Sequence, residues 1–309
     1  MLASIVIPIY NEETNLNELA GRLLNTIQSK LNDWQIEILL VNDGSYDSSF
    51  SIMKKLAEKN SIFKLVNLSR NFGHQIAISA GMDLAAGDVC IVMDGDLQDP
   101  PETIPELIKK WKKGYEIVYA VINKRDGENW FKLVTAKAFY RILKRITSVE
   151  IPVDTGDFRL IDKRVLDVLK DMPEKHRFIR GMVAWSGFKS CPVYYHREKR
   201  FAGTTKFTLG KMVQFSLNGI TSFSTYPLKL ASTFGLFVSL VGFLYLIYVI
   251  YLALFTNKTV EGWASMMVVV LFLGGVQLLS LGIIGEYVGR INEEVKKRPN
   301  YIISEKVNF

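Results

Sequence analysis

Cysteine is scarce in this chain, and no secretory leader is recognisable at its start. The 309 residues include two cysteines, Cys90 and Cys191, so at most one disulfide is possible and nothing in the pattern requires it. A reducing compartment is the simpler expectation. The first apolar run, residues 5–7, stops at Pro8 and is far too short for the core of a signal peptide. We therefore expect the N-terminal part to remain in the cytosol.

Charged residues are absent from two long stretches near the C-terminus, residues 230–257 and 262–285. Each stretch exceeds the ~20 apolar residues that cross ~30 Å of hydrocarbon, so we expect two membrane-spanning helices rather than a buried core helix. Lys and Arg are concentrated before the first stretch and after the second, which predicts cytoplasmic ends and an external connector. Two helices are too few to enclose a channel for a polymer, so we interpret them as an anchor.

These features divide the chain into four parts and place it in the cell (inner) membrane. The predicted parts are a cytosolic globular domain (1–200), a juxtamembrane segment (201–229), two transmembrane helices (230–289, with spans at about 230–256 and 263–285) and a cytoplasmic tail (290–309). Both termini and the globular domain are expected on the cytoplasmic side of a multi-pass protein.

Positive charge is in excess, with a net charge of +7 and a pI near 9.2. This balance suits nucleic acid, anionic lipid and phosphate-bearing substrates alike. Within residues 128–147, cations alternate with apolar side chains, which is typical of a basic amphipathic helix lying on an anionic membrane. A core-facing helix with a solvated basic face is the alternative. Four cations at 197–200 and 206 precede the first span, either as a topology signal or as a site for a lipid phosphate.

Short apolar runs alternate with segments of helical spacing over residues 3–121. Strands separated by helices predict an α/β fold with a mostly parallel sheet flanked by helices. Ligands bind such sheets at the carboxyl ends of the strands. The residues with the most informative chemistry follow predicted strands at that edge, at positions 10–12, 42–45 and 94–96.

Asp94 and Asp96 form the strongest local signal. Two carboxylates two residues apart at a strand end project to the same side, and such oxygens suit Mg²⁺ or Mn²⁺ together with a diphosphate. A solvated acidic turn is the alternative, which the preceding buried strand disfavours. Asp43 follows the second strand and either accepts hydrogen bonds from a nucleoside or only shapes the turn. His74, after the third strand, is by itself more typical of a structural polar residue.

Together these pieces resemble the polyisoprenyl-phosphate glycosyltransferases of glycosyltransferase family 2, most of all the bactoprenol glucosyltransferase branch. The matching stretches, in the expected order along nearly the whole chain, are IPIYNEE (7–13), VNDGS (41–45), SRNFGH (69–74), MDGDLQDPPE (93–102), TGDFRL (155–160) and RFAGTTKF (200–207). The resemblance implies a GT-A fold and inversion at the anomeric carbon. The family often has a basic residue soon after the fifth strand, and here either Lys124 or Arg125 fills that position.

The resemblance also implies a role for individual residues. It assigns Pro8, Tyr10, Glu12 and Asp43 to the nucleotide, and Asp94, Asp96 and Gln98 to the metal and the diphosphate. Asp157 matches the carboxylate proposed as catalytic, with Asp96 beside the metal, and Arg200, Lys206 and Arg125 match cations for the acceptor phosphate.

The expected reaction is transfer of a hexose, best guessed as glucose, from a UDP-sugar to a polyprenyl phosphate. A mannose or aminoarabinose donor is the alternative. A processive polysaccharide synthase is disfavoured because the chain lacks a Gln-x-x-Arg-Trp motif. A nucleic-acid-binding module would not need paired carboxylates, so no nucleic acid partner is expected. We expect a homo-oligomer that works with a separate flippase and a downstream glycosyltransferase.

Overall fold

The computed structural model describes residues 1–125, 155–198, 224–255 and 262–309. The chain forms two compact units. Unit 1 contains Met1–Gly219 and Pro299–Phe309, and unit 2 contains Ile220–Arg298. The predicted basic helix at 128–147 and the cations Arg200 and Lys206 lie outside the described residues.

A single large sheet forms the centre of unit 1. Its strands are β1 (Leu2–Ile9), β2 (Gln35–Asn42), β3 (Phe63–Leu68), β4 (Val89–Val92), β5 (Ile117–Arg125), β6 (Thr155–Asp162), β7 (Ser190–Arg197) and β8 (Ile303–Val307). They lie side by side in the order β7-β5-β6-β4-β1-β2-β3-β8. β6 and β8 are antiparallel to their neighbours, whereas β1–β4 are mutually parallel and β7 is parallel to β5. The predicted GT-A-like, mostly parallel sheet is confirmed.

Helices cover both faces of this sheet. The described helices of unit 1 are α1 (Leu16–Lys30), α2 (Ser49–Lys59), α3 (His74–Leu84), α4 (Ile104–Trp111), α5 (Lys163–Asp171) and α6 (Ile179–Trp185). In α1 the side chains of Leu16, Leu19 and Leu23 recur at helical spacing and are buried. β1 is buried continuously from Ala3 to Ile9, as expected for a central parallel strand that is covered on both faces.

One edge of the sheet, here called the site edge, collects the functionally interesting strand ends. β1 to β4 end there, and so do β5 and β7, because both run opposite to β6. The start of β6 at Thr155 and the start of β8 at Ile303 lie at the same edge.

Unit 2 consists of two long apolar helices, α7 (Tyr226–Phe255) and α8 (Trp263–Val295). Their candidate membrane spans, Tyr226–Leu252 and Val268–Val295, each reach a mean hydropathy of 2.3 and are not buried within the protein. Apolar side chains exposed all round a helix of this length are typical of a membrane span. α8 continues past the predicted end at residue 285, where an ion pair between Arg290 and Glu286 (2.9 Å) supports the polar last turns. The predicted two-helix hairpin is confirmed.

The last residues of the predicted tail (290–309) form a strand of the central sheet. β8 pairs with β3, and the backbone N–H of Ser69 donates to the carbonyl of Ile302 at 2.9 Å. The Tyr301 hydroxyl donates to Asp83 at 2.8 Å, and the Asn308 amide donates to the carbonyl of Ala57 in α2 and to that of Phe63 at the start of β3. β8 thereby satisfies the backbone groups of β3, which would otherwise form an open sheet edge.

Both cysteines are free and buried. Cys90 lies inside β4 and Cys191 inside β7, and burial raises the pKa of both thiols. Each side chain therefore serves as a small apolar packing group.

Candidate active site

Asp94 and Asp96 follow β4 at the site edge, in a turn that the intervening glycine permits. A Cβ at Gly95 would lie 2.4 Å from Cδ1 of Ile9, so a larger residue between the two carboxylates would force the Ile9 side chain to move. Leu97 has a φ of 62°, and the backbone N–H of Gln98 donates to Asp96 at 3.1 Å. Burial raises the pKa of Asp94, and the neighbouring carboxylates raise it further against the opposing effect of His74.

These two carboxylates fit a divalent cation. Oδ1 of Asp94 is buried and accepts no hydrogen bond from the described residues, so it has a lone pair available for a cation. No group of three His, Cys, Asp or Glu side chains in the described ranges is placed to hold a metal by itself. Mg²⁺ is commonly held by one or two carboxylates together with substrate phosphates and water. Asp94 and Asp96 therefore suit a cation that is completed by a phosphate-bearing ligand.

Asp43, at the end of β2, holds the loop that follows β3. Its carboxylate accepts hydrogen bonds from the backbone N–H groups of Phe72 (2.7 Å) and Gly73 (3.0 Å). A Cβ at Gly44, whose φ is +65°, would lie 2.4 Å from the backbone nitrogen of Asn71, so the two loops are in close contact. Burial nevertheless raises the pKa of Asp43, because neutral N–H donors only partly offset it. Its predicted contact with a nucleotide stays a prediction.

The other predicted nucleotide residues lie at the end of β1. Pro8 lies beyond the last pair between β1 and β4, so its missing N–H interrupts no ladder there. The rings of Tyr10 and Tyr46 meet edge to face at 6.1 Å, and Tyr46 is 84% exposed. The backbone N–H of Glu12 donates to Ser49 at 2.9 Å, which joins the loops after β1 and β2. These contacts form an aromatic and polar rim next to Asp43.

Asp157, near the start of β6, is the centre of a buried polar cluster. Arg180 donates to it twice, from Nε to Oδ1 at 2.8 Å and from a terminal nitrogen to Oδ2 at 3.1 Å. Gln75 donates to Oδ2 at 3.1 Å, and Nε2 of His74 lies 3.3 Å from the same oxygen. Burial by itself raises the pKa of Asp157, but the charges of Arg180 and His74 outweigh burial and hold it well below its ordinary value.

His74 connects this cluster to the carboxylates that follow β4. Its Nε2 lies 3.4 Å from Oδ1 of Asp94 as well as 3.3 Å from Asp157. Burial lowers the pKa of His74, but the two carboxylates outweigh burial and raise it to about 9. The ring of His74 therefore bridges two site carboxylates, a position that its place in the sequence did not predict.

Arg180 and Gln75 were missed from the sequence. Gln75 also accepts a hydrogen bond from the backbone N–H of Ile179 at 3.1 Å, so it connects α3 to α6. Arg180 lies in a seven-residue helix with no recognisable motif, more than twenty positions after Asp157. Position 75 directly follows the SRNFGH stretch, and this adjacency was the one available signal.

A second buried carboxylate supports the loop around Gln98. The Tyr195 hydroxyl donates to Asp99, and burial together with Asp94 raises the pKa of Asp99 to about 7. Burial lowers the pKa of Arg197, but Asp99 and the metal carboxylates outweigh it, so the guanidinium stays charged beside them. The backbone N–H of Glu198 donates to the Gln98 carbonyl at 3.1 Å. The end of β7 is thus connected to the turn that carries Asp94 and Asp96.

The predicted acceptor cations are only partly covered by the structure. Arg125 is the last residue of β5 at the site edge, whereas Arg200 and Lys206 lie outside the described residues.

The arrangement above matches a known enzyme family. Residues 4–169 match the model described as Glycosyl transferase family 2. The chain belongs to glycosyltransferase family 2. The resemblance drawn from its motifs is thereby confirmed.

Further comparisons place this family 2 glycosyltransferase among membrane-associated relatives. Residues 226–291 match the model described as GtrB C-terminal hairpin, which covers α7 and the first part of α8. The chain is 51% identical over 302 residues to the uncharacterized glycosyltransferase YkcC of Bacillus subtilis (strain 168), covering 98% of this chain and 93% of the relative. It is 41% identical over 307 residues to the SfII prophage-derived bactoprenol glucosyl transferase of Shigella flexneri, covering 99% and 98%. With two long apolar helices, this glycosyltransferase is membrane-associated.

Proposed function

We propose that this glycosyltransferase transfers glucose from UDP-glucose to a polyprenyl phosphate at the cytoplasmic membrane face, with inversion at the anomeric carbon. The name of the Shigella flexneri relative, together with its coverage of 99% of this chain, supports the acceptor class and the sugar. The hairpin match supports a lipid acceptor, because the membrane helices bring the enzyme to where a polyprenyl chain resides.

The observation that carries the proposal is the shared site edge. Asp94, Asp96 and Asp157 lie there, and so do both connections towards the hairpin, after Glu198 and before Ile303. A soluble acceptor would not require the reactive carboxylates and the membrane connections to share one edge. The proposal therefore places the phosphate head group of a lipid acceptor at this edge.

In the proposed mechanism the donor lies across the ends of β1, β2 and β4. Tyr10, Glu12 and Asp43 face the nucleoside, with Pro8 beneath it, and Gln98 lies beside the diphosphate. Asp94 and Asp96 hold a divalent cation, Mg²⁺ or Mn²⁺, which when bound neutralises the charge that develops on the leaving diphosphate. Oδ1 of Asp94, which accepts no hydrogen bond from the described residues, supports this assignment.

On the acceptor side, Arg200, Lys206 and Arg125 are proposed to bind the lipid phosphate. Cations there align a phosphate oxygen with the anomeric carbon, which lowers the entropic part of the barrier. The basic segment at 128–147 is proposed to hold this region against anionic lipid. The product then needs a flippase and a second glycosyltransferase on the other side of the membrane, and we expect the enzyme to work as a homo-oligomer.

The decisive test offers membranes containing the protein a panel of radiolabelled nucleotide sugars together with polyprenyl phosphate. We expect an acid-labile glucolipid from UDP-glucose, and none from membranes that carry the Asp96→Asn variant. Transfer of mannose or aminoarabinose would retain the acceptor but reject the sugar. A labelled polymer without a lipid-phosphate intermediate would favour a polysaccharide synthase and reject the proposal.

A second test addresses orientation in the membrane. A tag inserted between Asn257 and Glu261 should be reachable from outside intact cells, and a tag after Phe309 should be protected, because cations flank both spans on the same side. The reverse labelling would put the site edge out of reach of cytosolic nucleotide sugars and would contradict the proposal.

A further inference from the structure

The carboxylate of Asp157 has little capacity left for a proton. Oδ1 accepts from Arg180, and Oδ2 accepts from Arg180 and Gln75 with His74 Nε2 at 3.3 Å. Arg159 adds a further positive charge at 3.8 Å from Oδ1. The side chain of Asp157 is only 5% exposed. A carboxylate surrounded by cationic and amide donors favours its charged form strongly and is a poor proton acceptor.

The proposed reaction does not require a proton acceptor. A phosphate monoester has a second pKa of about 6 and is mostly a dianion at neutral pH. One of its oxygens forms the new bond to the anomeric carbon while the bond from that carbon to the diphosphate oxygen breaks. The electron pair leaves with the diphosphate, so a nucleotide sugar and a dianion give UDP and a phosphodiester without loss of a proton.

We propose that Asp157 is a fixed anionic anchor rather than a general base, and that Arg180 is a positioning residue acting through it. The inference rests on the proposed function and concerns the same site. Arg180 holds both oxygens of Asp157 in a two-pronged contact, which fixes the plane of the carboxylate. That plane in turn directs His74, whose ring reaches the metal carboxylate Asp94.

The cluster also joins three elements that are distant in sequence. Asp157 belongs to β6, His74 and Gln75 to α3, and Arg180 to α6. Gln75 uses its amide nitrogen for Asp157 and its oxygen for the backbone N–H of Ile179, next to Arg180. Loss of the Arg180 contact should therefore misplace the reacting groups without removing any group that touches the donor.

The chain offers a matched control three residues away. The Arg177 guanidinium donates at 2.7 Å to the carbonyls of Leu169 and Met172, which are structural contacts outside the cluster. Arg180→Gln should lower kcat by roughly 100-fold, since small misplacements at a reacting centre have effects of that order. Arg177→Gln should destabilise the protein yet leave kcat within a few-fold of wild type.

Two further variants separate positioning from folding. Arg180→Lys keeps the charge but loses the fork, so we expect an activity between wild type and Arg180→Gln, with the KM for the nucleotide sugar nearly unchanged. The effects of substituting residues that act together are not additive. The double variant Asp157→Asn with Arg180→Gln should therefore be no slower than the worse single variant. Additive losses, or equal losses in the Arg177 and Arg180 variants, would remove Arg180 from this role.

The pH profile decides between anchor and base. The defect of Asp157→Asn relative to wild type should not shrink as the pH rises from about 6 to 9, since an anchor role does not depend on removing a proton from a nucleophile whose pKa is about 6. Recovery to near the wild-type rate at high pH would restore the general base and overturn the inference. The wild-type product is identified first. Absence of a lipid-phosphate sugar would count against the proposed function, whereas pH recovery with that product present would count against this inference alone.

Discussion

The two halves of the site edge shift the pKa of their carboxylates in opposite directions. In the donor half, at the ends of β2 and β4, burial raises the pKa of Asp43 and Asp94. In the β6 half, Arg180 and His74 hold the pKa of Asp157 well below its ordinary value. The difference comes from the partners of each carboxylate: backbone N–H groups for Asp43, neighbouring carboxylates opposed by His74 for Asp94, and the charges of Arg180 and His74 for Asp157.

This contrast indicates what each half still requires. Neighbouring carboxylates raise the pKa of Asp94 despite its contact with His74, and a divalent cation would relieve that cost. Asp94 therefore suits the proposed role of holding a cation together with the substrate. Asp157 already contacts Arg180 and His74, and we infer that it fixes the positions of these side chains.

The largest expected effect comes from removing the cation from the donor half. Asp94→Asn or Asp96→Asn should lower turnover by about 1,000-fold or more, because a bound metal contributes several kcal/mol to stabilising the transition state. Excess EDTA should do the same to the wild type, measured as lipid-linked label. Near-normal turnover in EDTA would exclude the metal from the mechanism. In EDTA, Asp94→Asn should unfold no earlier than wild type, since it removes a desolvated charge.

The stabilities of the two halves should differ next most strongly. Asp157→Asn leaves the mostly buried Arg180 without its carboxylate, and we expect a loss of about 3 kcal/mol, the low end for a broken buried pair. Asp43→Asn keeps an acceptor for Phe72 and should lose about 1 kcal/mol. Thermal unfolding of the full chain in detergent, with substrate and metal absent, measures both. Equal shifts in Tm would contradict the electrostatic distinction between the halves.

A smaller effect is expected from the basic segment beyond the described residues. Lys132→Gln should raise the KM for the lipid acceptor about 5-fold, since one cation near an anionic surface contributes ~1 kcal/mol. The KM for the nucleotide sugar should not change. The control is the same assay on neutral vesicles, where the variant and wild type should agree. An unchanged acceptor KM on anionic vesicles would make the segment a packing element.

The smallest effect concerns pH, and its sign differs between the halves. Asp157 has a lowered pKa, so the stability it provides is present above its unfolded pKa of about 3.9 and is lost as the pH falls through the lower folded value. Asp43 has a raised pKa, so its protonated form stabilises the fold at low pH, and this contribution is lost as the pH rises through the folded value.

Unfolding measurements from about pH 4 downwards should reveal this sign for Asp157, whereas measurements from about pH 6 down to about pH 4 should reveal it for Asp43. On acidification, the stability difference between wild type and Asp157→Asn should shrink, whereas the difference between wild type and Asp43→Asn should shift in favour of wild type. Each change should stay below about 1.4 kcal/mol per pH unit, the limit for one proton. Two differences that move in the same direction would show that the halves are not electrostatically distinct.

Features carried by contiguous residues could be predicted from the sequence. The strand followed by Asp94-Gly95-Asp96 and the charge-free spans depend on local chemistry and periodicity, and the structure agrees with the predicted sheet and hairpin. Arg180 could not be found in this way, because its role depends on β6 and α6 coming together. β8 was not predicted from the sequence for another reason. Glu305 lies on its partly buried face, paired with Lys54 at 2.7 Å, and breaks the apolar alternation that signals a strand.

The position of β8 has a consequence for how the protein is made. Ser304 donates a hydrogen bond to the Asn67 carbonyl across 237 residues of chain, and the hairpin lies between them. A ribosome therefore releases β3 long before β8, and the catalytic sheet keeps an unpaired edge until the hairpin has been synthesised. β8 can complete this sheet only after the hairpin has been synthesised, so folding of the sheet is linked to synthesis of the two apolar helices.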